Sequence, residues 1–165
     1  MPFAHRKDIS RLAITPQGNL LLSIDEDGRA ILTNILRRIA LHHFNFRSSV
    51  SALVFSHSGR HFAVGLGRRI EVWHTPSTPD LNASGELDFA PFVKHREYSG
   101  HHDTVRHIEW SGDSRFILSS AKDLTARIWS LDTEERFVPT TLAGHREGVQ
   151  GAWFSKNQET VCAFL

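Results

Sequence analysis

The chain has 165 residues, and its 19 Lys plus Arg stand against 18 Asp plus Glu, a formal charge of +1. That length supports one core rather than two large domains, and 40% apolar with 22% charged residues excludes both a disordered and a membrane-spanning chain. Met1-Pro2-Phe3-Ala4-His5-Arg6-Lys7 leads into no apolar signal core and Cys162 is the single cysteine, so a disulfide-stapled secreted scaffold is excluded and an intracellular compartment is expected.

In chain order, short segments rich in β-branched and aromatic residues alternate with turn residues, and none sustains a helical period. Strands are predicted at Ile9 to Ile14, Leu20 to Ile24, Arg29 to Thr33 and Ile39 to Phe44. A second group is Val50 to Phe55, His61 to Leu66, Arg69 to His74 and Phe92 to Tyr98. A third is Val105 to Trp110, Phe116 to Ser120, Thr125 to Ser130 and Phe137 to Leu142, and a fourth begins at Val149.

The groups share a pattern. Val50 to Phe55-Ser56, Val105 to Trp110-Ser111 and Val149 to Phe154-Ser155 each run from Val to an aromatic five residues later, then Ser; Ile9 to Ile14-Thr15 is a weaker copy. The steps between Ile14, Phe55, Trp110 and Phe154 are 41, 55 and 44 residues, the period of a propeller blade. The long step is assigned to a loop insertion at 75–87, a Pro/Ser/Asn/Gly-bearing stretch. The expected architecture is all-β: residues 1–165 form a single partial β-propeller of about three and a half four-stranded blades, near 9–44, 50–98, 105–142 and an incomplete 149–165. A ring needs at least four blades, so closure within this chain is not expected, and the chain reads as a fragment.

Gly100-His101 and Gly144-His145 recur 44 residues apart, each five residues ahead of its repeat Val, and the first is followed by Ser119, Asp123 and Trp129. This is the spacing of a WD-repeat blade. The resemblance implies that these His, Ser, Asp and Trp side chains form a hydrogen-bonded chain tying the loop before the first strand to the second and third strands. The second blade departs from the pattern, because Asn45-Phe46 stands in the Gly-His position and the hairpin Gly65 to Arg69 is shorter and lacks the Asp. Its Trp73 is therefore expected to be anchored by packing.

Reading Ser119 as a nucleophile with His101 and Asp123 as its dyad is the sharp alternative. It is set aside because blade geometry accounts for the same residues and no Gly-rich oxyanion motif accompanies them. Asp25-Glu26-Asp27 precedes Gly28 and reads as a hairpin. No catalytic residue, cofactor or small-molecule substrate is predicted. Of the eleven histidines, the clusters His42-His43 and His101-His102-Asp103 with His107 invite a metal reading, but neighbours on a strand point to opposite faces and no zinc ligand motif is present. The histidines are read as solvated loop and strand-edge residues, and no metal site is predicted. Lys94-His95-Arg96 on an outer strand is read as protection against unwanted strand pairing in preference to an RNA contact. The pI near 8.1 falls below the value of about 9 expected of a dedicated nucleic-acid module.

Leu41-His42-His43-Phe44-Asn45-Phe46-Arg47-Ser48-Ser49-Val50, continuing through Phe55-Ser56-His57-Ser58-Gly59-Arg60, together with Ile108-Glu109-Trp110-Ser111-Gly112-Asp113-Ser114-Arg115, resembles the N-terminal propeller of the periodic tryptophan protein 2 family of WD-repeat proteins. The resemblance covers nearly the whole chain from about Arg11. It implies a non-catalytic scaffold of the small-subunit processome, in the nucleolus of the nucleus, with a role in pre-18S rRNA processing. Other processome proteins are the implied partners, with pre-ribosomal RNA and a box C/D small nucleolar RNA reached indirectly and no membrane contact. The alternative is another WD-repeat adaptor such as a ubiquitin-ligase substrate receptor; those often carry Trp-Asp-x-Arg, whereas Trp129 is followed by Ser130-Leu131-Asp132.

The insertion carries a direct test. Limited proteolysis should cut within 75–87 before any strand, and first cleavage inside Val105 to Trp110 would show that the strand assignment is wrong.

Overall fold

The computed structural model describes residues 4–76, 92–132 and 138–164. Among them are fourteen strands and no helix: β1 (Ile9–Ile14), β2 (Leu20–Asp25), β3 (Arg29–Asn34), β4 (Ile39–Asn45), β5 (Ala52–Phe55), β6 (His61–Leu66), β7 (Arg69–His74), β8 (Val93–Ser99), β9 (Val105–Trp110), β10 (Phe116–Ala121), β11 (Ala126–Ser130), β12 (Thr140–Leu142), β13 (Gly151–Phe154) and β14 (Val161–Phe164). They form three four-stranded sheets, β1–β4, β5–β8 and β9–β12, and a two-stranded sheet β13–β14. All pairings are antiparallel, in sequence order.

Strand bounds differ from the sequence reading mainly at first and last strands. β5 starts at Ala52 rather than Val50, since Val50 leaves the ladder to fill the core at 3% exposure. β12 is confined to Thr140–Leu142, and Phe137 lies outside the described residues. Of the stretch 75–87, only Thr75 and Pro76 are described, so the insertion lies largely outside the described residues.

The turn joining the first two strands of each sheet explains the Ser or Thr that closes each repeat motif. The amide of residue Thr15, Ser56, Ser111 or Ser155 donates to the carbonyl of Leu20, His61, Phe116 or Thr160, and each of those residues donates its own amide to the same hydroxyl at 2.9–3.1 Å. The third residue after each hydroxyl residue, Gly18, Gly59, Ser114 or Gln158, lies in the left-handed region at φ of 60–71° and donates its amide back at 2.8 Å. One side chain thus supplies the acceptor that a tight turn withholds from the entering strand.

Apolar side chains gather between successive sheets rather than within one centre. Leu20, Leu22, Ile24 and Leu32 of the first sheet meet Phe55, Phe62, Val64 and Leu66 of the second. Ala63, Ile70 and Val72 face Ile108, Trp110, Ile117 and Trp129 across the next interface, and Leu118 and Ala126 face Ala152 across the third. Contacts between sheets concentrate on the first strands, β1 with β5, β5 with β9 and β9 with β13, the arrangement of blades stacked around an axis. The sheets do not close into a ring, and Leu12, Ile14 and Phe164 are more than half exposed on the two outer sheets.

Trp110 shows what holds neighbouring sheets together. It is 1% exposed and its indole N–H donates to the Val54 carbonyl at 3.4 Å. Trp110→Ala should cost about 3–5 kcal/mol, whereas Ser111→Ala, which removes one turn acceptor, should cost about 1 kcal/mol. Denaturant midpoints of the two variants check this order, and equal losses would contradict the interlayer assignment.

Candidate functional site

The third sheet brings His101, Ser119, Asp123 and Trp129 together. Trp129 Nε1 lies 2.8 Å from Ser119 Oγ, Ser119 Oγ lies 2.7 Å from His101 Nε2, and His101 Nδ1 lies 2.9 Å from Asp123 Oδ2. The proton pattern follows from the two ends: an indole can only donate and a carboxylate can only accept. Trp129 therefore donates to Ser119, the hydroxyl donates to Nε2, and the Nδ1–H donates to Asp123. His101 is held as the neutral imidazole with its proton on Nδ1.

The acid–base properties agree with that pattern. Burial opposes the charged form of Asp123, but the Thr125 hydroxyl, the His102 amide and His101 together outweigh it and hold the carboxyl at about 2. For His101, burial is the largest influence and lowers the imidazole despite the carboxylate beside it. The set has the connectivity of a Ser-His-Asp triad, but Ser119 is 0% exposed and His101 4%. A nucleophile must reach its substrate, and here its oxygen is shut beneath the indole that bonds it.

The first sheet holds a relative of this network that the sequence reading missed. His5 Nε2 lies 2.7 Å from Ser23 Oγ and Nδ1 lies 3.4 Å from Asp25 Oδ2. Asp25 also accepts the amides of Asp27 and Arg29, so the acidic run is a hairpin built on one fully buried carboxylate. The signal was the interval, since His5 precedes Ser23 by 18 residues, as His101 precedes Ser119. The Trp is missing: Ser119 pairs with Arg127, two residues before Trp129, and Ser23 pairs with Ile31, two before Thr33.

In the second sheet the expectation for Trp73 is corrected in part. It packs against Phe44 and Phe46, with ring centroids at 4.8 and 5.7 Å, but its indole N–H also donates to Glu71 Oε2 at 3.1 Å. Val64, which pairs with Glu71, occupies the register place of Ser119 and offers no hydroxyl. A buried indole N–H needs an acceptor, and the carboxylate two residues earlier on the same face supplies it. Lys94 then bonds Glu71 and Glu97 at 3.5 and 2.8 Å.

The triplet Lys94-His95-Arg96 lies on β8, the edge strand of its sheet, and its Arg96 also bonds the neighbouring sheet. Arg96 donates to the carbonyls of Ser130, Leu131 and Asp132 at 3.2, 3.0 and 2.6 Å, and Tyr98 donates its hydroxyl to Ser130 at 2.6 Å. These bonds fasten β8 to the end of β11 in the neighbouring sheet. Gly144 takes φ of +129°, and His145 is half-buried; eighteen residues after it stands Ala163, which cannot extend a hydroxyl.

The histidine clusters chosen from sequence do not converge. His42 is buried while His43 is exposed, as alternation requires. His101 belongs to the hydrogen-bonded chain and His107 packs on Trp153 with ring centroids at 4.8 Å. Among the described residues, the histidines that do converge are His61, His74 and His95. Burial and the neighbouring His95, His74 and Arg60 lower His61 to about 4.

Because the folded Asp123 carboxyl sits near 2 against 3.8 in an unperturbed chain, its contribution is full above about pH 4 and is lost as pH falls toward 2. That contribution is about 2 kcal/mol. Asp123→Asn should therefore destabilise at pH 7, and its deficit relative to the wild type should shrink between pH 4 and pH 2. Unfolding midpoints measured across that range provide the check, and a deficit constant with pH would rule the linkage out.

A family model described as WD domain, G-beta repeat matches residues 92–130, the span that holds all four members of the chain in the third sheet. The chain is 71% identical over 98% of its length to the periodic tryptophan protein 2 homolog of Neurospora crassa, and 52% identical over 97% to that of Schizosaccharomyces pombe. It is 50% identical over 96% to periodic tryptophan protein 2 of Saccharomyces cerevisiae. The chain spans 18%, 18% and 17% of the lengths of these three relatives. Repeat, fold and likeness agree: the chain carries a WD repeat within an unclosed partial β-propeller, and it is similar over nearly its whole length to a stretch of the periodic tryptophan protein 2 homologues.

Proposed function

We propose that this chain is part of a non-catalytic scaffold that serves as a protein-interaction module in the nucleolus, within the small-subunit processome that processes pre-18S rRNA. The observation that carries the non-catalytic reading is the burial of the His101, Ser119, Asp123 and Trp129 chain. Its most reactive-looking group, Ser119, has no accessible surface, and its donors and acceptors are spent on one another. Such a network orders a blade, leaving the outer surfaces and loops to meet partners. The ribosome-biogenesis reading is supported by the likeness to periodic tryptophan protein 2 and by what that family resemblance implies.

Some basic side chains that an RNA-binding reading would use already pair within the chain, Lys94 and Arg115 at the surface and Arg96 half-buried. Arg96, Lys94 and Arg115 bond Ser130 to Asp132, Glu71, Glu97 and Asp132. Protein partners are therefore favoured as the direct contacts, and pre-ribosomal RNA and the box C/D small nucleolar RNA as indirect ones.

The full-length protein should co-purify with pre-ribosomal RNA and other processome proteins, and nuclease treatment should leave the protein partners attached. Depleting it should lower mature 18S rRNA and accumulate its precursors. Unchanged small-subunit rRNA after depletion would overturn the assignment, and recovery with ubiquitin-ligase subunits instead would favour the adaptor reading.

A further inference from the structure

His61, His74 and His95 lie 13 and 21 residues apart in sequence but meet at one end of the second sheet. His61 opens β6 and His74 closes β7, and the two are direct cross-strand partners. His95 is the residue that the β7–β8 ladder skips, since Val72 pairs with Arg96 and Trp73 with Lys94. A bulge of this kind re-aims its side chain, and here it turns the third imidazole onto the other two. Ring centroids are 4.8 Å apart for His61 and His74, 4.9 Å for His61 and His95, and 4.8 Å for His74 and His95.

A second observation concerns His61 itself. Its Nε2 is buried and has no hydrogen-bond partner, which burdens the fold with an orphaned polar atom that an apolar residue would not bring. A bound ion is one of the ways such an atom is satisfied, and at His61 two further imidazoles stand beside it.

We propose that His61, His74 and His95 form a tri-histidine site for a divalent transition-metal ion, Zn²⁺ foremost, with water completing a four-coordinate shell. One nitrogen from each ring lies within 4.8 Å of the others. Zn–N bonds of about 2.0–2.1 Å in a tetrahedron place ligand nitrogens about 3.3 Å apart, so small side-chain rotations complete the shell. His74 and His95 are exposed and free to make them. Imidazole donors without carboxylates select Zn²⁺, Cu²⁺ or Ni²⁺ over Mg²⁺ and Ca²⁺. The positive charges of Arg60 and Arg96 act on His61 and His95 respectively and make the site weaker than a thiolate one. The bound ion would clamp three adjacent strands and pin both ends of the connection between His74 and His95, an activity-independent role that goes beyond the scaffold reading.

The test is titration of the metal-stripped full chain with Zn²⁺ by calorimetry and with Co²⁺ by visible absorption. The expected result is one ion per chain, a Co²⁺ spectrum of tetrahedral intensity, and a Tm that rises with added Zn²⁺. His74→Asn and His95→Asn, both at exposed positions, should each weaken binding at least about tenfold, with circular dichroism confirming that they fold. His145→Asn should bind as the wild type does. Absence of saturable binding would overturn the proposal, and so would a stoichiometric ion whose affinity is unchanged in both variants.

Discussion

The middle strands of the sheets are buried on both faces, and the other features of the chain answer to that constraint. In β2, β6 and β10 all but one residue of each strand is buried; β6 and β10 have a sheet on either side, while β2 has the second sheet on one face and His5 against Ser23 and Asp25. Leu20-Leu21-Leu22, Phe62-Ala63-Val64 and Phe116-Ile117-Leu118 are accordingly unbroken apolar runs, as two-sided burial demands. A polar side chain on such a strand has no water to turn to, and leaving it unpaired costs about 1–3 kcal/mol. Ser23, Asp25 and Ser119 set there find partners inside the protein, while the Ser120 hydroxyl has none.

The three complete sheets meet this demand differently. The third uses a four-membered relay in which an indole, a hydroxyl, an imidazole and a carboxylate each satisfy the next. In the first sheet the imidazole, hydroxyl and carboxylate remain while the indole is absent, and Ser23 lies 3.4 Å from the Ile31 carbonyl as Ser119 lies 3.5 Å from that of Arg127. The second keeps the indole and discards the rest: Val64 removes the hydroxyl, so Glu71 becomes the acceptor and Lys94 balances its charge. What persists across the three sheets is a partner for the buried indole, imidazole or carboxylate at this place, not the identity of the residues that supply it.

Between sheets the dominant links are apolar, with polar staples at the edges. Trp110 bridges the second and third sheets from the inner strand, while Arg96 and Tyr98 grasp the carbonyls at the end of β11 from the outer strand. Glu109 accepts the Phe154 amide at 2.7 Å across the next interface, and burial raises its carboxyl despite that bond. Stacked units that each depend on their neighbours are the energetic logic of repeat proteins.

Much of this was legible in the chain itself. The recurring Val to aromatic to Ser motif, its period and the two-sided apolar runs determine an all-β stack of short sheets, since period-two strands with tight turns admit few other solutions. The intervals among His101, Ser119, Asp123 and Trp129 are those of a WD-repeat blade, and that resemblance implied one network. Other features were decided only by the tertiary structure. His5 joins Ser23 across a loop whose path no local pattern reveals, and Trp73 finds Glu71 because both lie on one face of β7. His61, His74 and His95 converge only because three strands pair in a particular register and a bulge shifts the third by one residue. Side chains separated by hairpins are brought together by register and bulges, and those depend on how neighbouring sheets pack, which no single strand encodes.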